Sequence, residues 1–237
     1  MALGSEINLR ILAIETSLRQ GSLATLDASH SPVTLVAERL LPSDQRSAQS
    51  LLPTLSQLCS ESDWQPSQIE LICVTTGPGS FTGLRIGVTA AKALAFAVGA
   101  KLVGVHTLAS LAGSVPHAGG KLWAILDAQR HELFAACFKG ADIPQYPDTR
   151  VLSSDEWLAE LKAGDSVMGP PLGILKDRLP SDVTLVDKSL WHPQASLVGR
   201  LGYEMYSAGS TVDPMQLIPS YFRKSAAEEK ADAATHE

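Results

Sequence analysis

Positive charge is in short supply in this chain of 237 residues, where 19 Lys and Arg face 25 Asp and Glu for a formal net charge of -6 and a pI near 5.5. Phosphate contacts ordinarily come from clustered Lys and Arg, so this balance excludes the chain as the main gripper of a polyanion, and any nucleic acid it serves is held by another protein. Cysteine is scarce as well. Cys59, Cys73 and Cys137 are odd in number, far apart and set among apolar residues, which excludes a disulfide framework and indicates buried thiols in a reducing compartment. The N-terminal MALGSEINLR has no cationic segment followed by an apolar core, and the longest apolar stretches are too short or too interrupted by Lys and Gly to span a bilayer, so a cytoplasmic protein without a membrane role is expected.

Several chemistries lack their residues too. The six histidines include no pair at i, i+4, no HExxH and no Cys-His cluster of zinc spacing, so no metal site is expected. There is no GxSxG elbow from which Ser/His/Asp hydrolysis could start.

What the chain does have is 45% hydrophobic residues in clearly phased runs, enough for a sizeable core. LRILAIETS (9 to 17), GSLATLDAS (21 to 29) and PVTLVAERLL (32 to 41), parted by turn signals, read as an antiparallel three-stranded meander. Leu51, Leu52, Leu55, Leu58 and Cys59 then form a helical stripe, with Pro53 in its first turn or at a kink. The run IELICVTT (69 to 76) suits a strand covered on both faces, and a helix from about Thr82 to Ala97 leads to a further strand, KLVGVHT (101 to 107). Strand, helix and strand with short links imply a parallel crossover.

A short helix at 108 to 115 precedes SVPHAGG (114 to 120), whose Pro and paired Gly mark a lobe boundary. Beyond it LWAILDAQRHELFAACFKG (122 to 140) echoes ILAIETSLRQGSLATLDA (11 to 28). The echo suggests two lobes of one topology. SSDEWLAELKAG (153 to 164) has the Ser cap, acidic first turn and Gly stop of a helix; 166 to 170 and 183 to 187 read as short strands, and 193 to 209 as a helix.

Residues 77 to 87, GPGSFTGLRIG, supply neither the Lys nor the following Ser or Thr of a P-loop. Two readings stay open there: an anion site on the N-H groups near Ser80 to Gly83, or a structural turn that sets the helix. The helix that follows interleaves Gly and Ala with Leu, Ile, Val and Phe, and only Arg85 and Lys92 are charged. Such a helix is either buried throughout or covered on its second face by another subunit. Glu15 and Asp127 close the equivalent first strands of the two lobes, with Thr16 beside the former. In two-lobed ATPases such acids organise Mg-ATP, but no closely spaced glycines accompany them here, and a plain polar strand end is favoured.

ILAIETS (11 to 17), GPGSFTGLRIGVTAAKALA (77 to 95), GVHTLASLA (104 to 112), ILDAQRHELFAACF (125 to 138) and PSYFRKSAAEEK (219 to 230) together resemble the TsaB family of bacterial tRNA threonylcarbamoyladenosine biosynthesis proteins. The resemblance implies an α/β protein with a duplicated ribonuclease H-like fold of the actin/Hsp70 type (ASKHA), its N-terminal lobe a mixed five-stranded sheet flanked by helices. Residues 1 to 116 would form that lobe, 117 to 223 a smaller C-terminal lobe, and 224 to 237 a charged, frayed tail.

It further implies a non-catalytic subunit in the modification of adenosine 37 of tRNA, with no cofactor of its own and ATP and Mg used by its partners. Those partners would be the catalytic paralogue TsaD and the ATPase TsaE; the chain would self-associate when alone and meet tRNA only through the complex. The pairing surface implied is Leu51, Leu55 and Leu58 on the first helix with Gly83, Ile86, Gly87, Ala90, Ala91 and Leu94 on the second. Arg at Gly87 or Ala91 would then break the complex and spare the fold. Many relatives carry a His before the first helix where this sequence has Ser47. The rival reading is an ATP-binding kinase or ATPase of the same fold, or a metallopeptidase-like enzyme.

Overall fold

In the computed structural model, which describes residues 9–42, 47–115, 120–140 and 143–223, the opening apolar runs become β1 (Arg10–Glu15), β2 (Ser22–Asp27) and β3 (Thr34–Leu40), an antiparallel meander. Helix α1 (Ser47–Glu61) leads to β4 (Leu71–Gly77), which pairs in parallel with β1; α2 (Phe81–Val98) then crosses over to β5 (Lys101–His106), parallel to β4, and a short α3 (Thr107–Ala112) follows. The sheet order is β3-β2-β1-β4-β5.

The second half repeats the winding. β6 (Lys121–Gln129), β7 (Glu132–Lys139) and β8 (Thr149–Ser153) form a meander, followed by α4 (Ser154–Glu160), β9 (Ser166–Met168), α5 (Leu172–Leu175), β10 (Thr184–Leu185) and α6 (Ala195–Ser207). The order β10-β9-β6-β7-β8, with β9 parallel to β6 and to β10, is the first sheet's order again. Two mixed five-stranded sheets with flanking helices make this a duplicated actin/Hsp70-like α/β fold.

The central strands β1 and β4 are buried on both faces, so both faces need cover. Alternate residues Leu12, Ile14, Ile72 and Val74 pack under Leu51, Leu55 and Leu58 of α1 and Val88, Ala91 and Ala95 of α2. On the other face Ile11, Ala13, Cys73 and Val105 meet Ala195, Val198 and Met205 of α6. Cover on that face comes from the second half of the chain, and the loan is returned: Leu108, Ala109, Leu111 and Ala112 of α3 lie in the core of the second sheet. The sheets divide near the expected boundary, but the helices that end each half cross over it. Gly199 and Gly202 allow this approach, since a Cβ on either would collide with Leu26 or with Cys73.

Other differences from expectation have local causes. Pro53 sits in the second turn of α1 rather than the first. Ser153 caps α4 through a reciprocal box with Glu156, yet the helix ends at Leu161, short of Gly164. Strand β8, half-buried along its length, was not expected from its mixed sequence TRVLS. Part of the boundary segment (116–119) and the expected frayed tail (224–237) lie outside the described residues.

Candidate functional site

Helix α2 is 18 residues long with a mean hydropathy of 1.4, which by length and composition alone would suffice to cross a membrane. Here it is the crossover between two parallel strands, and its glycines explain its seat. Gly83 and Gly87 rest on the residue that follows β1: a Cβ on Gly83 would strike the carbonyl oxygen of Thr16, and one on Gly87 its Oγ1. Gly79 meets the Ser17 carbonyl in the same manner. Ser80 N donates to Ser17 O at 2.6 Å, Gly83 N donates to Ser80 Oγ at 3.2 Å and Leu84 N to Ser80 O at 2.8 Å. Two of the N-H groups an anion would need, those of Ser80 and Gly83, are thus spent within the chain. The GPGSFTGLRIG segment therefore seats a helix directly on the β1 backbone.

The acidic candidates at the strand ends are also occupied locally. Glu15 is fully buried; Ser17 donates to its Oε1 through N at 2.6 Å and through its hydroxyl, while Oε2 has no hydrogen-bond partner. Burial pushes this carboxyl up to about 7 against the opposing pull of the two Ser17 bonds. Thr16 is buried, its Oγ1 unpartnered against Gly87. Asp127, at the matching end of β6, is exposed and accepts from Gln129 N at 2.7 Å. Each acid closes its own hairpin turn. One is buried and the other exposed, so the pair offers no matched carboxylates to a ligand. Among the described residues no group of three His, Cys, Asp or Glu is placed to hold a metal ion.

The residues expected on a pairing surface divide by burial. Leu51, Leu55 and Leu58 of α1, and Gly83, Gly87 and Ala91 of α2, face the chain's own sheet and are buried. They cannot present side chains to a partner, because they are turned onto the chain's own sheet, with Gly83 and Gly87 against Thr16. Ile86, Ala90 and Leu94 are half-buried at the rim. The outward stripe is Thr82, Arg85, Thr89, Ala93 and Phe96, with Phe96 79% exposed, and Leu52 of α1 is 58% exposed rather than part of the buried stripe. Between the helices lies a cavity of about 580 Å³ lined by Leu52, Leu55, Cys59, Trp64 and Leu94 among others. The sequence signal for this stripe was the phase of Gly83 and Gly87: once they are assigned to the sheet, the opposite side must face outward. Ser47 is the first residue of α1.

Two five-stranded sheets of one winding order, the first covered by the long helices α1 and α2, define a member of the duplicated two-lobed α/β class. Comparison with known proteins narrows this. The family model for TsaD, tRNA N6-adenosine threonylcarbamoyltransferase, matches residues 41–144. The tRNA threonylcarbamoyladenosine biosynthesis protein TsaB of Bacillus subtilis is 30% identical over 94% of this chain and 97% of its own length, and that of Escherichia coli 27% over 94% and 98%. The structure of YeaZ from Pseudomonas aeruginosa superposes with a TM-score of 0.75 at 26% identity, covering 90% of this chain and 99% of that one. The chain belongs to the TsaB (YeaZ-type) family.

Proposed function

We propose that this chain is the non-catalytic scaffold subunit of a tRNA N6-threonylcarbamoyladenosine modification complex, acting in the cytoplasm by pairing with a TsaD-type catalytic paralogue and serving a TsaE-type ATPase. Its part in threonylcarbamoyladenosine biosynthesis follows the names its relatives carry. The observation that carries the scaffold reading is the outward stripe of α2, Thr89, Ala93 and Phe96, on a helix already seated on its sheet, together with the exposed Leu52 of α1. The TsaD family model spans residues 41–144, which include both α1 and α2. A catalytic paralogue with the same helix pair would meet this one across a pseudo-twofold axis, helix against helix. Alone, two copies of this chain would use the same surface on each other. ATP and Mg are assigned to the partner subunits, and tRNA is reached only through them; the buried Glu15 and the spent N-H groups before α2 support this division.

Ala93→Arg and Phe96→Glu test the assignment, since both positions are exposed. Each is expected to abolish co-purification with the catalytic paralogue and to lower threonylcarbamoyladenosine in tRNA nucleosides measured by mass spectrometry, with the melting temperature within a few degrees of the parent. Full retention of the complex by both variants would remove α2 from the interface. Unchanged threonylcarbamoyladenosine on depletion of the protein would overturn the function.

A further inference from the structure

After α6 the chain runs back across the N-terminal lobe, and residues 221–223 lie where the two lobes meet. Val212 N donates to Leu102 O at 2.9 Å along the open edge of β5, and Lys92 Nζ on α2 donates to the carbonyls of Leu217 at 3.0 Å and Met215 at 3.4 Å. Ser220 N donates to Thr76 O at 2.7 Å, an approach that Gly77 allows, because a Cβ there would lie 2.5 Å from Ser220 O. The next three residues each hold a different element. Tyr221 stacks on Phe81 at 4.7 Å and its hydroxyl accepts from Arg85 Nε at 3.0 Å, both on the first turns of α2. Phe222 meets His106 at the end of β5 edge-on at 5.5 Å and Phe134 of β7 at 6.3 Å. Arg223 donates to Ala128 O at 2.8 Å and pairs with Glu132 at 2.8 Å.

Those last contacts bracket a turn that Asp127 closes from within by accepting from Gln129 N, and that Ser154 of α4 holds by donating from N to His131 O at 3.2 Å. Gln129, Arg130 and His131, between β6 and β7, have φ of 64°, 53° and 64°, three successive side-chain-bearing residues in the left-handed region. Such residues persist where their surroundings over-determine them. Arg223 grips the strand before the turn and the first residue after it, so the turn is held from the end of a segment anchored on the other lobe. Contact thus passes from α2 to the C-terminal lobe within three residues of chain.

We propose that Tyr221–Arg223 is a tie that fixes one lobe against the other and transmits perturbation of the α2 surface to the β6–β7 turn. That α2 is a pairing surface rests on the reading above; the coupling itself belongs to the isolated chain. Partner docking over Arg85 and Phe81 would tighten the tie, and the turn would register it.

Amide hydrogen exchange on the isolated, full-length chain tests the tie from both ends. Arg85→Ala should raise exchange at residues 129–132, and Glu132→Ala should raise it at 81–85, each by about 5-fold or more, since coupling free energies are reciprocal. Amides of α5 (Leu172–Leu175), which makes none of the contacts named above, serve as the control and should not change. Tyr221→Phe, which removes only the hydroxyl, is the milder variant should Arg85→Ala fold poorly, and should give a smaller change of the same pattern. A rise confined to the neighbourhood of each substitution overturns the proposal. Added catalytic paralogue should slow exchange at 129–132; binding without that change overturns transmission, whereas no binding at all overturns the pairing surface and leaves the isolated-chain result standing.

Discussion

The two sheets are wound alike, but the segments that join their strands differ in scale. Between the third and fourth strands the N-terminal half has the 15-residue α1 and the C-terminal half the 7-residue α4; between the fourth and fifth, the 18-residue α2 corresponds to the 4-residue α5. The long helices lie over the first sheet and expose Leu52 and Phe96 among polar neighbours, whereas the short ones do little more than close their connections. A shared topology therefore says nothing about where a partner can dock; that depends on which crossover was kept long. The hairpin turns diverge in the same way, Glu15 buried with its carboxyl pushed up to about 7, Asp127 exposed.

The comparison breaks hardest at the glycines of the crossovers. Gly87→Arg forces a charged chain onto the buried Thr16 side chain and should cost more than about 3 kcal/mol, read as loss of the cooperative thermal transition or insolubility. A folded Gly87→Arg protein would mean that α2 does not sit as described.

The buried hairpin acid should show the next effect. Glu15 keeps its proton to about pH 7 in the folded chain and loses it near its ordinary 4.5 when unfolded, so the folded state binds more protons across that interval. Its contribution to stability is complete below 4.5 and is lost as the pH rises through 7. Glu15→Gln should therefore be more stable than the parent at pH 8, by up to about 3 kcal/mol, and converge with it near pH 4.5 in chemical denaturation.

His106 slopes the other way. Burial holds it down at about 4, and Ala109 N donates to its Nδ1 at 3.4 Å, leaving Nε2 as the donor to Thr149 Oγ1 at 3.1 Å in the opposite lobe. Its contribution is present above about 6.5 and lost as the pH falls toward 4. With Glu15 silenced by Gln, stability should rise with pH across that window, a trend the parent masks. A flat profile in the variant would separate His106 from the lobe junction.

Smaller effects test the short connections. Ser153→Ala removes a cap from α4 and should cost about 1 kcal/mol by thermal melting. Gly173→Ala in α5, where a Cβ meets nothing within 4 Å, should change stability by less than about 1 kcal/mol, in contrast with Gly87.

Much of the N-terminal sheet was legible because its central strands are continuous apolar runs and α1 has a clear stripe. The winding of the second sheet showed through the echo of β6 and β7 with β1 and β2. Strand β8 was not, since TRVLS has neither a run nor a clean alternation and becomes a strand by pairing with β7. The stripe of α2 was misassigned for a physical reason: in a helix with no fully polar side, burial is decided by the neighbour, and the neighbour of Gly83 and Gly87 is Thr16, more than sixty positions earlier in the chain. The exchange of α3 and α6 has no local signature either, because α3 is buried at every position and the buried side of α6 does not specify which sheet receives it.

That exchange has a bearing on how the two halves can be inherited. Each repeat carries the lid of its sibling, so a gene fragment encoding either one would yield a sheet with a bare face and a helix with nowhere to go. Nicking the polypeptide between residues 115 and 120 should accordingly give two fragments that reconstitute only when mixed, and shuffling one repeat into another protein would fail unless its counterpart travelled with it.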